Sequence, residues 1–334
     1  MTTGGATVVI TTRNRKAELL RTLHHMTALP DRTPVVVVDN GSNDHSADAV
    51  AEHFGQVTLL RSDRNLGALG RNLAVRDIDT PYVAFCDDDT RWRPGSLTRA
   101  ADLLDAHPGL ASVTGRILVA PTMVEDPITP ELRDSPVPGP AWLPGPALLG
   151  VLAGASMFRV AAFREGGGFS PRLWLGGEEE LLSLDLAAQG WWMCWAPDGV
   201  IEHAPSASRD PRRRRQLGIC NTLWTAWLRR PLPSALRRTG TLLRSVPRDR
   251  TSVVAVGGAL AGLGWVLRER RVVPPEVERG LGLLEEPQRH PGLPPGQHRV
   301  VLFSRIARMS SCAHGPTMSR PEEPFDVVPP TRTG

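Results

Sequence analysis

An α/β fold built on a mostly parallel sheet is what the first hundred residues predict, and three observations carry that expectation. The β-branched runs at 7–11 and 35–38 have the length and unbroken apolarity of strands buried on both faces. A segment with helical spacing lies between them. Residues suited to chemistry, Thr12 and Arg13, Asp39 and Asn40, Asn65, and Asp87 to Asp89, follow directly on strand runs, at the carboxyl edge where parallel sheets hold ligands.

Taken in order, 16–26 carries Leu19, Leu20, Leu23 and Met26 on one helical face, 57–60 is a third short strand, and 65–72 is a glycine-containing loop entering a helix. The fourth strand is 82–86. Strand, helix and strand in succession argue for right-handed crossovers. Residues 121–146 are proline-rich and predict a long loop over the site. A further strand is expected at 151–160, a turn at 165–169, a helix at 181–189 ending at Gly190, and two short strands at 191–195 and 199–203. The catalytic module, 1–208, is then followed by a helical extension at 209–286, and 287–334 is rich enough in Pro, Gly, Arg and Ser to predict a disordered tail.

The 334 residues, 41% hydrophobic, suffice for one large α/β domain with an appendage. Lys16 is the only lysine, so the net charge of +4 is an arginine charge, suited to phosphate or carboxylate contacts and equally to a GC-rich coding bias. Cys86, Cys194, Cys220 and Cys312 form no CxxC pair, which points to a reducing, cytoplasmic setting. The N-terminus lacks a signal-peptide pattern, and no segment reaches the ~20 apolar residues of a membrane span. The nearest, 253–267, is glycine-rich and followed by arginines. It reads as a packed helix closing the catalytic domain, with docking on anionic lipid as the alternative.

The fourth strand runs straight into Asp87, Asp88 and Asp89. Adjacent carboxylates at the end of a buried strand repel one another and resist desolvation, so a cation or solvent must compensate them. A divalent ion with oxygen ligands, Mg2+ or Mn2+, is the simplest choice, because it keeps positions open for a substrate's phosphates. A solvated acidic turn is the plainer reading.

Across about residues 6–208, five motifs in order resemble the family 2 glycosyltransferases. That resemblance implies the GT-A fold, and transfer of a sugar from a nucleotide-diphosphate donor with inversion at the anomeric carbon. Thr11-Thr12-Arg13-Asn14-Arg15 is similar to the loop that lines the nucleotide, making Thr11 and Arg13 implied donor contacts. In Val38-Asp39-Asn40-Gly41-Ser42 the implied role of Asp39 is recognition of the base, usually uracil, whose N–H needs an acceptor. Capping of the following helix is the other reading of Asp39. Asn65-Leu-Gly67-Ala-Leu-Gly70-Arg71-Asn72 is like N-x-G-x-x-x-x-R-N, where glycine permits close backbone approach and a helix start offers donors to an anion. Arg71 either pairs with a carboxylate of the triplet or of Asp39, or touches the nucleotide.

Asp87-Asp88-Asp89 matches the family's DxD, which implies Asp87 on the ribose or on the metal through water, Asp89 as direct metal ligand, and Asp88 between them. Gly177-Glu178-Glu179 stands where most of the family has Gly-Glu-Asp, whose aspartate is the base that deprotonates the acceptor. Glu179 is one methylene longer, a change in reach of about 1.5 Å. Glu178 and Glu180 are fallbacks, and for Glu180 favourable charge at a helix N-terminus is the plainer role. Val200-Ile-Glu-His203 resembles the V-x-H ending of the module, whose histidine completes a metal shell of Asp87, Asp89 and His203.

The expected partners are a nucleotide-diphospho-sugar, UDP- or dTDP-linked, with Mn2+ or Mg2+, and a small-molecule, lipid-linked or polysaccharide acceptor. Trp174 and Gly177 are expected to line the acceptor site, and the tryptophans at 191, 192 and 195 to divide between core and surface. Oligomerisation and peripheral contact at the inner membrane face stay open. The main alternative is a catalytically degenerate GT-A scaffold that only binds nucleotide sugar. A nucleotidyltransferase would need a glycine- and arginine-rich phosphate loop ending in lysine, which 7–20 lacks. Nucleic-acid binding is not expected, since 212–215 reads as a solvated or anion-facing helix surface.

Overall fold

The apolar runs of the N-terminal half become the parallel half of one sheet. The computed structural model describes residues 5–205 and 211–289. β1 (Ala6–Thr12) leads to α1 (Lys16–Thr27), β2 (Val35–Asp39), α2 (Ser46–His53), β3 (Thr58–Arg61), α3 (Leu69–Arg76) and β4 (Tyr82–Asp87). Val8, Val9, Ile10, Val37 and Val38 are wholly buried, as strands covered on both faces require. Then follow β5 (Thr90–Trp92), α4 (Ser96–Ala106), β6 (Leu110–Val119), β7 (Val124–Glu125), α5 (Thr129–Arg133), β8 (Ser156–Arg159), α6 (Val160–Glu165), α7 (Glu178–Ala188) and β9 (Trp192–His203).

The sheet order is β3-β2-β1-β4-β8-β6-β9-β5, with β7 paired to β6. β1 is parallel to β2 and β4, β2 to β3, and β6 to β9, whereas β8, β7 and β5 run the other way. Strand order reverses between β1 and β4, the switch point at which such sheets open a ligand crevice. Only Asp88 and Asp89 separate β4 from β5, yet β5 forms the far edge, so the sheet curls back on itself around the acidic triplet.

Several elements differ from their sequence expectation. The strand expected over 151–160 is a 3-10 turn, β8 and the start of α6. The two short strands at 191–203 are one strand with a bulge, because its register against β6 skips from Ala196 to Val200. The long proline-rich segment does not lie over the site. It starts near it, at Asp126, then runs to the opposite end of β6, where Trp142 stacks on His107 at 6.1 Å and Ala147 bridges Cys194.

Beyond residue 210 come α8 (Pro211–Arg229), α9 (Leu232–Ser245), α10 (Arg250–Ala261), α11 (Leu263–Arg268) and α12 (Pro275–Arg289). Leu228 and Val266 pack on Leu173 and Leu181, and Val273, Val277 and Leu281 pack on Leu149 and Leu184. Arg229 pairs with Asp185 at 2.5 Å, and Arg230 with Glu278 at 2.6 Å and Glu285 at 2.7 Å. The expected module boundary at 208 lies outside the described residues, and of the expected tail, 287–334, only the start is described, where α12 continues to Arg289. Among those described, no helix is long and apolar enough to cross a membrane.

Candidate active site

Thr12 closes β1 and Asp88 follows β4, so the parallel pairing of these strands brings the two together: the Thr12 hydroxyl donates to Asp88 at 2.9 Å. Arg15, just before α1, then lies across the triplet, with Nη1 2.5 Å from Asp88 and Nη2 3.0 Å from Asp89. Arg71, on α3, donates to Asp87 at 2.6 Å and spreads its guanidinium over Phe85 and Phe169. Two arginines therefore supply part of the countercharge that three adjacent carboxylates demand. Of the alternatives for Arg71, the pairing with the triplet is the one present.

A cavity of about 730 Å³ opens above these residues, within the range of small-ligand sites. Thr11, Arg13, Asn65, Gly67, Arg71, Asp87, Asp88, Asp89, Trp174, Glu178 and Glu179 all line it. Asp39, Gly177 and His203 are not on its wall. Asp39 is buried below it, accepting the Ser42 N–H at 3.2 Å, with Oδ1 lacking a hydrogen-bond partner. It does not cap α2, whose first N–H is taken by Asp44. Gly177 turns the chain into α7 at φ +92 and faces Asn221, where an added Cβ would come within 3.1 Å.

The loop before α3 and the loop before α7 are fastened to each other. Trp174 Nε1 donates to the Asn65 carbonyl at 3.1 Å, and the Trp174 carbonyl accepts the Ala68 N–H at 2.9 Å. At Gly67, with φ +59, a Cβ would lie 2.3 Å from that carbonyl, so the close approach this glycine permits is to Trp174.

α7 begins at Glu178, three residues earlier than periodicity suggests, because Gly177 supplies the left-handed turn and three acidic residues suit a helix start. Glu178 is buried with Oε2 unpartnered, and Glu179 Oε1 accepts the Ala153 N–H at 2.6 Å. Burial, and then Glu178, push Glu179 up to about 8, against the Ala153 N–H and Arg71. Glu178 is raised too, chiefly by burial. Glu180 rises to about 7 by burial, but its charged neighbours are Arg238, Arg230 and Glu285, away from the cavity, so this fallback is set aside. Asp88 also rises to about 7, burial outweighing Arg15.

His203 ends β9 with Nε2 4.0 Å from Asp89 and Nδ1 3.9 Å from Asp126. Among the described residues no three His, Cys, Asp or Glu side chains converge as a ready metal cluster. The donors fit a hard divalent cation in kind, two carboxylates on the cavity and an imidazole beside one of them.

The helical extension completes the wall. Pro211, Arg213, Arg214, Arg215 and Leu217 of α8 line the cavity, and the Arg213 guanidinium lies 4.6 Å over the Trp174 ring. Of the two readings of 212–215, solvated or anion-facing, the placement of Arg213, Arg214 and Arg215 on the cavity wall fits the second. Asn221, which drew no attention in the sequence, is buried and donates to the carbonyls of Leu173 at 2.7 Å, Leu175 at 3.1 Å and Gly176 at 2.5 Å. It seats the loop that carries Trp174 and leads into Glu178. Asn221→Ala is expected to cost about 1–3 kcal/mol in denaturant unfolding, since buried carbonyls lose their donor.

Residues 7–165 match the family model "Glycosyl transferase family 2". The chain is 27% identical over 292 residues to N-acetylglucosaminyl-diphospho-decaprenol L-rhamnosyltransferase of Mycobacterium tuberculosis, covering 74% of this chain and 93% of that protein. Among solved structures it is similar to GalNAc-T7 with UDP, GalNAc and Mn2+, at TM-score 0.57 and 15% identity, over 79% of this chain and only 56% of that one. It is also similar to the mannosyltransferase PcManGT from Pyrobaculum calidifontis with GDP-Man and Mn2+, at TM-score 0.51 and 20% identity, over 91% and 80% of the two chains. At these identities the two structures establish the shared GT-A fold.

Proposed function

The chain belongs to glycosyltransferase family 2 and is a glycosyltransferase, and from that premise we propose that it moves a sugar, with inversion, from a nucleotide-diphosphate donor to an acceptor hydroxyl. The observation that carries this reading is one cavity lined by the acidic triplet, by arginines, and by Glu178 and Glu179. The proposed catalytic unit is 1–208, with α8 as part of its cavity wall.

The donor, a UDP- or dTDP-sugar, lies with its diphosphate toward Asp87 to Asp89 and the arginines, and Asp39, Asn65, Gly67, Thr11 and Arg13 form the nucleoside side. Asp39, with one buried carboxylate oxygen unpartnered, suits a base N–H. Asp87, Asp89 and His203 would hold Mn2+ or Mg2+, which when bound neutralises the departing diphosphate. Glu179 takes the proton from the acceptor oxygen as that oxygen forms its bond to the anomeric carbon and the bond to the diphosphate breaks. The Ala153 N–H fixes the carboxylate, and burial keeps its basicity high enough for the task. Trp174 and Arg213 form the acceptor side.

Calorimetric titration with a panel of UDP- and dTDP-sugars, in Mn2+ and then in EDTA, tests the reading. Metal-dependent binding of one donor is the expected result. Absence of binding by every nucleotide sugar in both conditions would overturn the donor site, whereas donor binding without transfer to any acceptor would leave the degenerate scaffold.

A further inference from the structure

α10 and α11 present an apolar face that no other described residue covers. Val253 is 70% exposed, Leu260 65% and Leu267 53%, whereas Ala255, Ala259 and Val266 on the other side of these helices are buried. From Thr251 to Leu267 the chain holds no charged residue. Exposed arginines bracket the stretch, Arg248 and Arg250 before it, Arg268 and Arg271 after it. Gly262, where the two helices meet, packs against Trp224, a Cβ there coming within 2.6 Å of the indole, so the inner face is fitted to α8 while the outer face is exposed among the described residues.

We infer that this face docks the enzyme on an anionic lipid surface, the apolar residues entering the headgroup boundary and the bracketing arginines meeting acidic headgroups. Uncharged apolar surface flanked by cations is the composition of an interfacial helix, and the arrangement matches an acidic bilayer better than a protein partner in both its terms. The face also begins beside the catalytic cavity. Asp249 caps α10 by accepting the Ser252 N–H at 2.9 Å and pairs with Arg215, which lines the cavity. A membrane under α10 would thus lie next to the acceptor side, a placement that rests on the transferase reading and suits a lipid-linked acceptor.

The test is flotation of the full chain with vesicles of phosphatidylcholine and phosphatidylglycerol in a two to one mixture, against phosphatidylcholine alone. Binding to the acidic vesicles, weakened by salt and reduced at least about tenfold in Val253→Glu/Leu260→Glu, is expected. Donor titration of the same variant should match wild type, because both positions are exposed and off the cavity. Equal binding to both vesicle types, or unchanged binding by the variant, would overturn the inference. So would light scattering that finds a dimer which the variant converts to monomer, since the face would then serve a second copy. Failure of donor binding in wild type would count against the transferase reading while leaving the vesicle result to stand or fall alone.

Discussion

Glu179→Gln is expected to abolish sugar transfer, with kcat lower by about 10²–10⁴-fold, the usual weight of a positioned general base. Donor affinity should stay close to wild type, because the proposed role of the carboxylate is toward the acceptor and its anchor is the Ala153 N–H. The pH profile adds a second reading. A base must be unprotonated to act, and Glu179 is pushed up to about 8 by burial and then by Glu178. Below that pH most of the enzyme carries the proton, so kcat/KM should climb as pH rises through about 8 and then level off. The two glutamates titrate as a pair, so the limb belongs to both until a variant separates them. If Glu178→Gln removes the limb and Glu179→Gln leaves measurable transfer, the base is Glu178.

Asp89→Asn should weaken metal-supported donor binding by about two orders of magnitude, close to 3 kcal/mol. Its carboxylate faces Arg15 at 3.0 Å and His203 at 4.0 Å, so it joins the arginine, the imidazole and the proposed cation at one point. Asp89→Ala would be the harsher choice. Removing one partner of a buried pair costs about 3–5 kcal/mol, and lost binding could then reflect lost folding. A folded Asn variant, checked by its unfolding curve, with wild-type affinity for the donor in Mn2+ would exclude Asp89 from the site.

The parts of this molecule legible in the sequence are those that depend on near neighbours. Val35 to Val38 reads as a strand because four β-branched residues fit a strand buried on both faces, and the lengths of β1, β2 and β4 came within two residues. The order of the acidic triplet, the two loops and the acidic helix start was legible for the same reason. What stayed hidden depends on packing across the chain. Arg15 and Asp89 are far apart in sequence, and nothing local marks Arg15 rather than Arg13 as the residue that crosses the triplet. Gly67 does line the cavity, but nothing local shows that the room left by its missing side chain is taken by Trp174. Asn221 sits in a helix without any motif, and only the docking of α8 turns its amide toward three carbonyls. The proline-rich loop misled because composition predicts irregularity and says nothing about direction.

α8 does two jobs that sequence boundaries would separate. It lays arginines along the cavity, and through Asn221 and the Arg229–Asp185 pair it sets the loop and helix that bear Trp174, Glu178 and Glu179. A chimaera that trades residues 211–289 for those of a relative would therefore alter the proposed chemical centre together with the cavity rim. Retuning acceptor choice by helix exchange should succeed only where the incoming segment also brings an amide at 221 and an arginine at 229, because those two side chains are what tie α8 to the loop at Trp174 and to the helix that follows it.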